Sequence, residues 1–108
     1  MKMKAPLNPK VWAPAETAQL LGLYAYFLDF QQRGEKYQKA SAVRALMAQL
    51  GRTRGSIEAK LMNVSGVLVT LGHPQLVVKG YKPLGNYSTD MIDIVKKGFA
   101  QYINKEAA

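Results

Sequence analysis

A mainly α fold is what this sequence predicts, and three observations predict it. Apolar residues recur at three- and four-residue spacing through most of the chain. Gly and Pro gather at a few breaks and do not punctuate a series of short β-prone runs. The stretch SAVRALMAQLGRTRGSIEAKL, residues 41–61, reads as a helix, a Gly-centred turn and a second helix. The expected architecture is a four-helix domain with a central helix-turn-helix and a loop or short β-excursion before the last helix.

Residues 1–11, with Pro6, Pro9 and three Lys, predict a flexible basic arm, and residues 12–108 a single helical domain. Pro14 stands where a first helical position belongs and Glu16 lies in the first turn. Leu20, Leu21, Leu23, Tyr24, Phe27, Leu28 and Phe30 then mark a helix to about Phe30, apolar around more than half its circumference, as a central core helix would be. Residues 31–40 form a polar connector with Gly34 as the helix stop. Ser41 is the expected N-cap of the second helix, Val43, Leu46, Met47 and Leu50 its buried stripe, and Gly51 the residue after it that needs a positive φ.

Thr53 or Ser56 caps the third helix, where Ile57, Leu61, Val64, Leu68 and Leu71 share one face. Residues 72–87 carry repeated Gly and Pro breaks and one β-prone run, 75–79. Ser88 caps a last helix with Asp90 and Asp93 near its start, Lys96, Lys97 and Lys105 further on, and Met91, Ile92, Val95, Phe99, Tyr102 and Ile103 turned inward. No internal repeat or low-complexity tract is present.

Composition narrows the function classes. In 108 residues there is room for one small core and not for a binding module beside a catalytic domain. Fifteen Lys and Arg against seven Asp and Glu give a formal charge of +8, which attracts polyanions from a distance. The absence of Cys rules out disulfides, thiolate zinc sites and a thiol nucleophile. No apolar run approaches the ~20 residues that cross a bilayer, the first ten residues lack a signal-peptide pattern, and a cytoplasmic location is the default expectation.

The richest chemistry lies in GRTRGSIEAKLMN, residues 51–63. Arg52 and Arg54 flank Thr53 in the turn, and Ser56, Lys60 and Asn63 follow at near-helical spacing. Arg reaches guanine and Asn reaches adenine through paired hydrogen bonds, whereas Lys60 and the hydroxyls of Thr53 and Ser56 suit phosphate oxygens. The bland alternative makes both Arg solvated turn residues and leaves Ser56 and Asn63 to satisfy backbone groups. A second candidate surface is Lys79, Tyr81, Lys82, Asn86 and Tyr87, which interleaves cations with aromatics as single-strand binders do. Tyr87 reads better as packing onto the core, while Tyr81 fits either role. Lys2, Lys4 and Lys10 suit either a groove-entering arm or a solvated tail. His73 reads as a turn residue and Trp12 as a core or staple residue. No P-loop follows Gly51 and Gly55, and Asp90 and Asp93 read as dipole complements, so neither metal nor cofactor is expected.

Trp12, Glu16, Leu20 and Tyr24, then LGRTRGSIEAKL at 50–61, look like a Myb or SANT-type three-helix arrangement. A longer pattern adds RTRGSIEAKLMNVSGVL at 52–68, GYKPLGNYS at 80–88 and a closing helix. Together these resemble the N-terminal DNA-reading domain of McrA-type modification-dependent HNH endonucleases. The resemblance covers about 90 of the 108 residues and is densest over 52–63. It implies duplex DNA binding, with sensitivity to a modified base, carried here on Arg52, Arg54, Ser56, Lys60 and Asn63. An HNH site needs His both to activate water and to bind metal, and His73 alone cannot do both. A non-catalytic DNA reader is therefore expected. A different class also fits: a small phage or plasmid inhibitor that docks on a host protein or nucleoprotein complex. The sequence does not specify an oligomeric state, since no heptad run defines a seam.

Overall fold

A computed structural model describes residues 11–107, so the basic arm with Lys2, Lys4 and Lys10 lies outside the described residues except for Val11. Helix α1 (Pro14–Gln32) begins as its sequence dictates. Pro14, whose fixed φ suits a first turn, opens it, and Glu16 Oε1 accepts the Ala13 N–H at 2.9 Å. Leu20, Tyr24, Phe27 and Leu28 are wholly buried along it, and α1 packs against the second, third and fourth helices. Each such side chain contributes about 1.5–3 kcal/mol by leaving water, which makes α1 the axis of the core.

Helix α2 (Lys39–Leu50) starts two residues before the expected Ser41 cap. Tyr37 stacks on Phe27 and the Lys39 ammonium lies over Tyr37 and Tyr81, contacts that fix the chain ahead of Ser41. Val43, Leu46 and Leu50 are buried, and Gly51 closes the helix at φ 67°, a left-handed conformation that costs Gly little. In the three-residue turn Thr53 Oγ1 accepts the Ser56 N–H at 3.1 Å, which caps α3 (Arg54–Thr70). The helix-turn-helix is thus α2, Gly51 to Thr53, and α3, with α1, α2 and α3 packed mutually.

Ile57, Leu61, Val64 and Leu68 form the buried face of α3 as their spacing predicts. Its second half is buried on the opposite side too, because the chain returns across it. Gly66 faces Leu84 so closely that a Cβ there would run into the Leu84 carbonyl. The Leu84 N–H donates to the Met62 carbonyl at 3.0 Å, and the Tyr87 and Thr70 hydroxyls share a hydrogen bond of 2.6 Å.

Between α3 and this crossing lie a 3₁₀ turn (Pro74–Leu76) and an irregular segment; among the described residues there is no strand. The β-prone run finds its hydrogen bonds elsewhere. The Val78 N–H donates to the Tyr24 hydroxyl at 2.9 Å, the Lys79 N–H to Gln31 Oε1 at 2.8 Å, and Gln31 Nε2 to the Val77 carbonyl at 3.1 Å. Side chains of α1 thus satisfy backbone groups that would otherwise need a neighbouring strand.

The closing helix is two helices, α4 (Thr89–Gly98) and α5 (Ala100–Ala107), broken at Phe99. Phe99 is fully buried edge-on to Tyr24, with ring centroids 5.6 Å apart, and a Cβ on Gly98 would press on Leu21. Tyr102 donates to Asp29 at 2.5 Å, and His73 Nδ1 meets Glu106 Oε1 at 2.6 Å, so α5 is tied both to α1 and to the turn after α3. No helix among the described residues is long and apolar enough to cross a membrane.

Candidate nucleic-acid interface

Arg52 and Arg54 sit two residues apart in sequence and have opposite environments. Arg52 is 6% exposed. Its Nε and Nη2 donate to the two carboxylate oxygens of Glu16 at 2.8 and 2.9 Å, Nη2 also donates to the Val11 carbonyl at 2.6 Å, and the guanidinium lies 4.4 Å from the centre of the Trp12 ring. This corrects the expectation for Arg52. Its planar fork is filled by a carboxylate and a carbonyl, and it fastens the start of α1 to the turn before α3, out of reach of a groove. Arg54, at the first position of α3, is exposed and forms no ion pair among the described residues.

Beyond Arg54, one side of α3 is bare. Gly55 and Ala59, four residues apart and exposed, put nothing larger than a methyl on the outer face. A Cβ on Gly55 would meet nothing within 4 Å and its φ is not positive, so no internal packing or turn geometry requires glycine there. Arg54 and Glu58 flank the strip on one side, Ser56 and Lys60 on the other.

The Ser56 and Lys60 side opens into a cleft of about 480 Å³, lined by Trp12, Ser56, Ala59, Lys60, Asn63, Asn86, Tyr87 and Ser88. Asn63, 8% exposed, is in its wall. Its Nδ2 donates to Asn86 Oδ1 at 3.2 Å and to the Leu84 carbonyl at 3.4 Å. Asn63 was expected to reach a base from a free surface; it instead holds the 84–86 segment and offers only its Oδ1 outward. The Lys60 ammonium lies 5.7 Å from the Trp12 ring centre, and burial, with the Arg52 charge adding to it, lowers its pKa from the ordinary lysine value. Among the described residues Lys60 has no carboxylate partner within ion-pair distance.

The chain matches no protein-family model, no curated protein and no solved structure.

The second predicted surface is divided: Asn86 and Tyr87 line this cleft, whereas Lys79, Tyr81 and Lys82 do not. Lys79, Tyr81 and Lys82 border another groove with Gln31 and Val77. Tyr81 is buried there, its ring stacked on Phe27 at 5.9 Å and covered by Lys39 at 4.9 Å, so it does not offer a face to a base. Lys39 also donates to the Lys79 carbonyl. Lys79 and Lys82 are exposed. Of the predicted contact residues, the structure brings Ser56, Lys60 and Asn63 together at the cleft and leaves Thr53 and Arg54 exposed beside the start of α3.

Four lining residues of the cleft are not evident as such from the sequence: Trp12 reads as a core or staple residue, Ser88 as a helix cap, and Asn86 and Tyr87 fall in the Lys79 segment, where Tyr87 reads better as packing onto the core. Gly66, which lets the 84–88 segment approach, is the signal that could have linked them, because a mid-helix glycine implies close passage of another backbone. Among the described residues no group of three or more His, Asp or Glu is placed to hold a metal ion.

Proposed function

We propose that this chain binds duplex DNA without catalysing a reaction on it, acting in the cytoplasm, with the first two turns of α3 as the element that enters the groove. One observation carries the reading: Gly55 and Ala59 form a side-chain-poor strip at the start of the second helix of a helix-turn-helix, between two cations, Arg54 and Lys60, that lack acid partners among the described residues. Bare backbone permits close approach, and unpaired cations at its edges complement phosphates. Exposed Lys82 adds to the field, and the +8 charge of the chain steers a polyanion towards it. Glu58 opposes it locally from the Arg54 side.

The resemblance to McrA-type reader domains supports the same element and adds base modification as a variable. The experiment is a gel shift over a series of salt concentrations with paired duplexes, methylated and unmodified. Log K is expected to fall linearly with log salt. Arg54→Ala with Lys82→Ala should lower affinity and flatten the slope by about 0.9 for each phosphate that the variant no longer neutralises. Unchanged affinity and slope would remove this surface from the reading, and the absence of any shift at low salt would favour docking on a protein partner.

A further inference from the structure

We propose that the cleft between α3 and the 86–88 segment is a subsite for one unstacked nucleotide, which rests on the reading of α3 as a DNA-binding element. Its polar groups are oriented by the fold. The Leu84 carbonyl can face only an N–H, so it fixes the Asn63 amide with Nδ2 towards it; the same Nδ2 then selects the oxygen of Asn86. Asn63 Oδ1 and Asn86 Nδ2 are left as an acceptor and a donor with no hydrogen bond among the described residues, in a recess they both line. A phosphate alone is not the complement of this recess. Phosphate oxygens accept, and so does Asn63 Oδ1, so the two do not pair and a molecule that meets Asn63 there has to bring a donor.

A nucleotide supplies every part. A base edge carries an N–H beside an acceptor, its apolar body suits a cleft lined in part by Trp12 and Tyr87, and its phosphate suits the half-buried Lys60 ammonium and the Ser56 hydroxyl, neither of which has a hydrogen-bond partner among the described residues. A volume of about 480 Å³ lies in the usual range for a small-molecule site. The edge of a base stacked in a duplex is not free to enter a recess between a helix and a returning loop, so the occupant is an extruded, bulged or single-stranded nucleotide.

Trp12 is the sole tryptophan of the chain, so its emission reports occupancy directly. The full chain is titrated with a paired duplex and with the same duplex carrying one bulged nucleotide. The bulged duplex is expected to bind about tenfold tighter, with quenching of Trp12 that the paired duplex does not produce. Asn86→Ala should reduce that preference to about twofold while paired-duplex affinity stays the same, and Lys60→Gln gives a second variant at the other end of the cleft, expected to weaken the bulged duplex more than the paired one. Equal affinity for the two duplexes with no change in Trp12 emission overturns the subsite but leaves duplex binding by Arg54 standing. Inorganic phosphate competing as strongly as a mononucleotide at equal concentration also overturns it, by reducing the cleft to an anion site. Failure to bind either duplex at low salt overturns both this proposal and the reading on which it rests.

Discussion

Two of the regions that place a cation over an aromatic ring, those around Tyr81 and Trp12, end in different states. Around Tyr81, Lys39 covers the rings of Tyr37 and Tyr81 and donates to the Lys79 carbonyl, so one ammonium closes the cluster. Around Trp12 there are two cations. Arg52 is held through Nε and Nη2 by Glu16 and the Val11 carbonyl, and Lys60 has a ring and, among the described residues, no acceptor. In sequence the Tyr37 and Tyr81 segments interleave aromatics with lysines, whereas Arg52 and Lys60 lie in a stretch without an aromatic residue and meet Trp12 only in the fold. What separates a packed cluster from an available one is whether the cation already has an acceptor in the fold, and a partially desolvated cation lacking one is the group that gains most from a bound anion.

The sharpest way to break the comparison is Arg52→Ala. It removes the guanidinium that both Glu16 carboxylate oxygens accept from, at a side chain 13% exposed, and should cost about 3–5 kcal/mol in urea denaturation, whereas Arg54→Ala should stay within about 0.5 kcal/mol. Equal effects would mean that the two arginines are not the structural and surface members of the pair. Alkaline unfolding comes next. Burial, then the Glu58 charge, pushes the Tyr81 phenol up to about 12, and burial with the Asp29 hydrogen bond does the same for Tyr102. The unfolded chain releases these protons near the ordinary value of 10.0, so above it the unfolded state holds fewer protons than the native one. Stability should be fully retained below pH 10 and fall towards pH 12, with a shallower fall in Tyr81→Phe, as read by circular dichroism against pH.

Gly66→Ala should cost about 1–3 kcal/mol in thermal denaturation, since its methyl must displace the Leu84 carbonyl, and should abolish the Trp12 response to a bulged duplex. Gly55→Ala runs the other way. With open space around it, it should stabilise the free protein by about 0.4–1 kcal/mol and yet weaken duplex binding if backbone approach is its purpose. The smallest expected change in stability is Lys60→Met. The depressed pKa of Lys60 means that its charged form burdens the fold below that pKa and the burden lifts as pH rises towards 10.5, so removing the charge should be neutral or slightly stabilising at neutral pH. A large loss of stability would show that Lys60 belongs to the closed state that Arg52 exemplifies.

Much of the fold was legible because its determinants are local. The spacing of Ile57, Leu61, Val64 and Leu68, the positive φ at Gly51 and the cap at Thr53 each depend on residues within about two turns. Features set by distant partners were not. Arg52 and Arg54 carry the same local signal, and the partner that separates them, Glu16, lies 36 residues upstream. The β-prone run at 75–79 gives up its strand to Gln31 and Tyr24, which bond its residues 77–79 at separations of 46 to 54 residues. The division of the last helix depends on how Gly98 and Phe99 meet Leu21 and Tyr24, which periodicity does not encode. Of the candidate site, Ser56, Lys60 and Asn63 were visible from helical spacing, while the wall formed by Asn86, Tyr87 and Ser88 was hidden in a segment read as a separate surface.

The close passage of the Leu84 backbone over Gly66 has a thermodynamic consequence. The two walls of the cleft are joined before any ligand arrives, through the Met62 carbonyl, the Asn63 amide and the Thr70 hydroxyl. An entering molecule would therefore not have to order a loop, and the entropy that loop ordering usually subtracts from affinity has been met during folding.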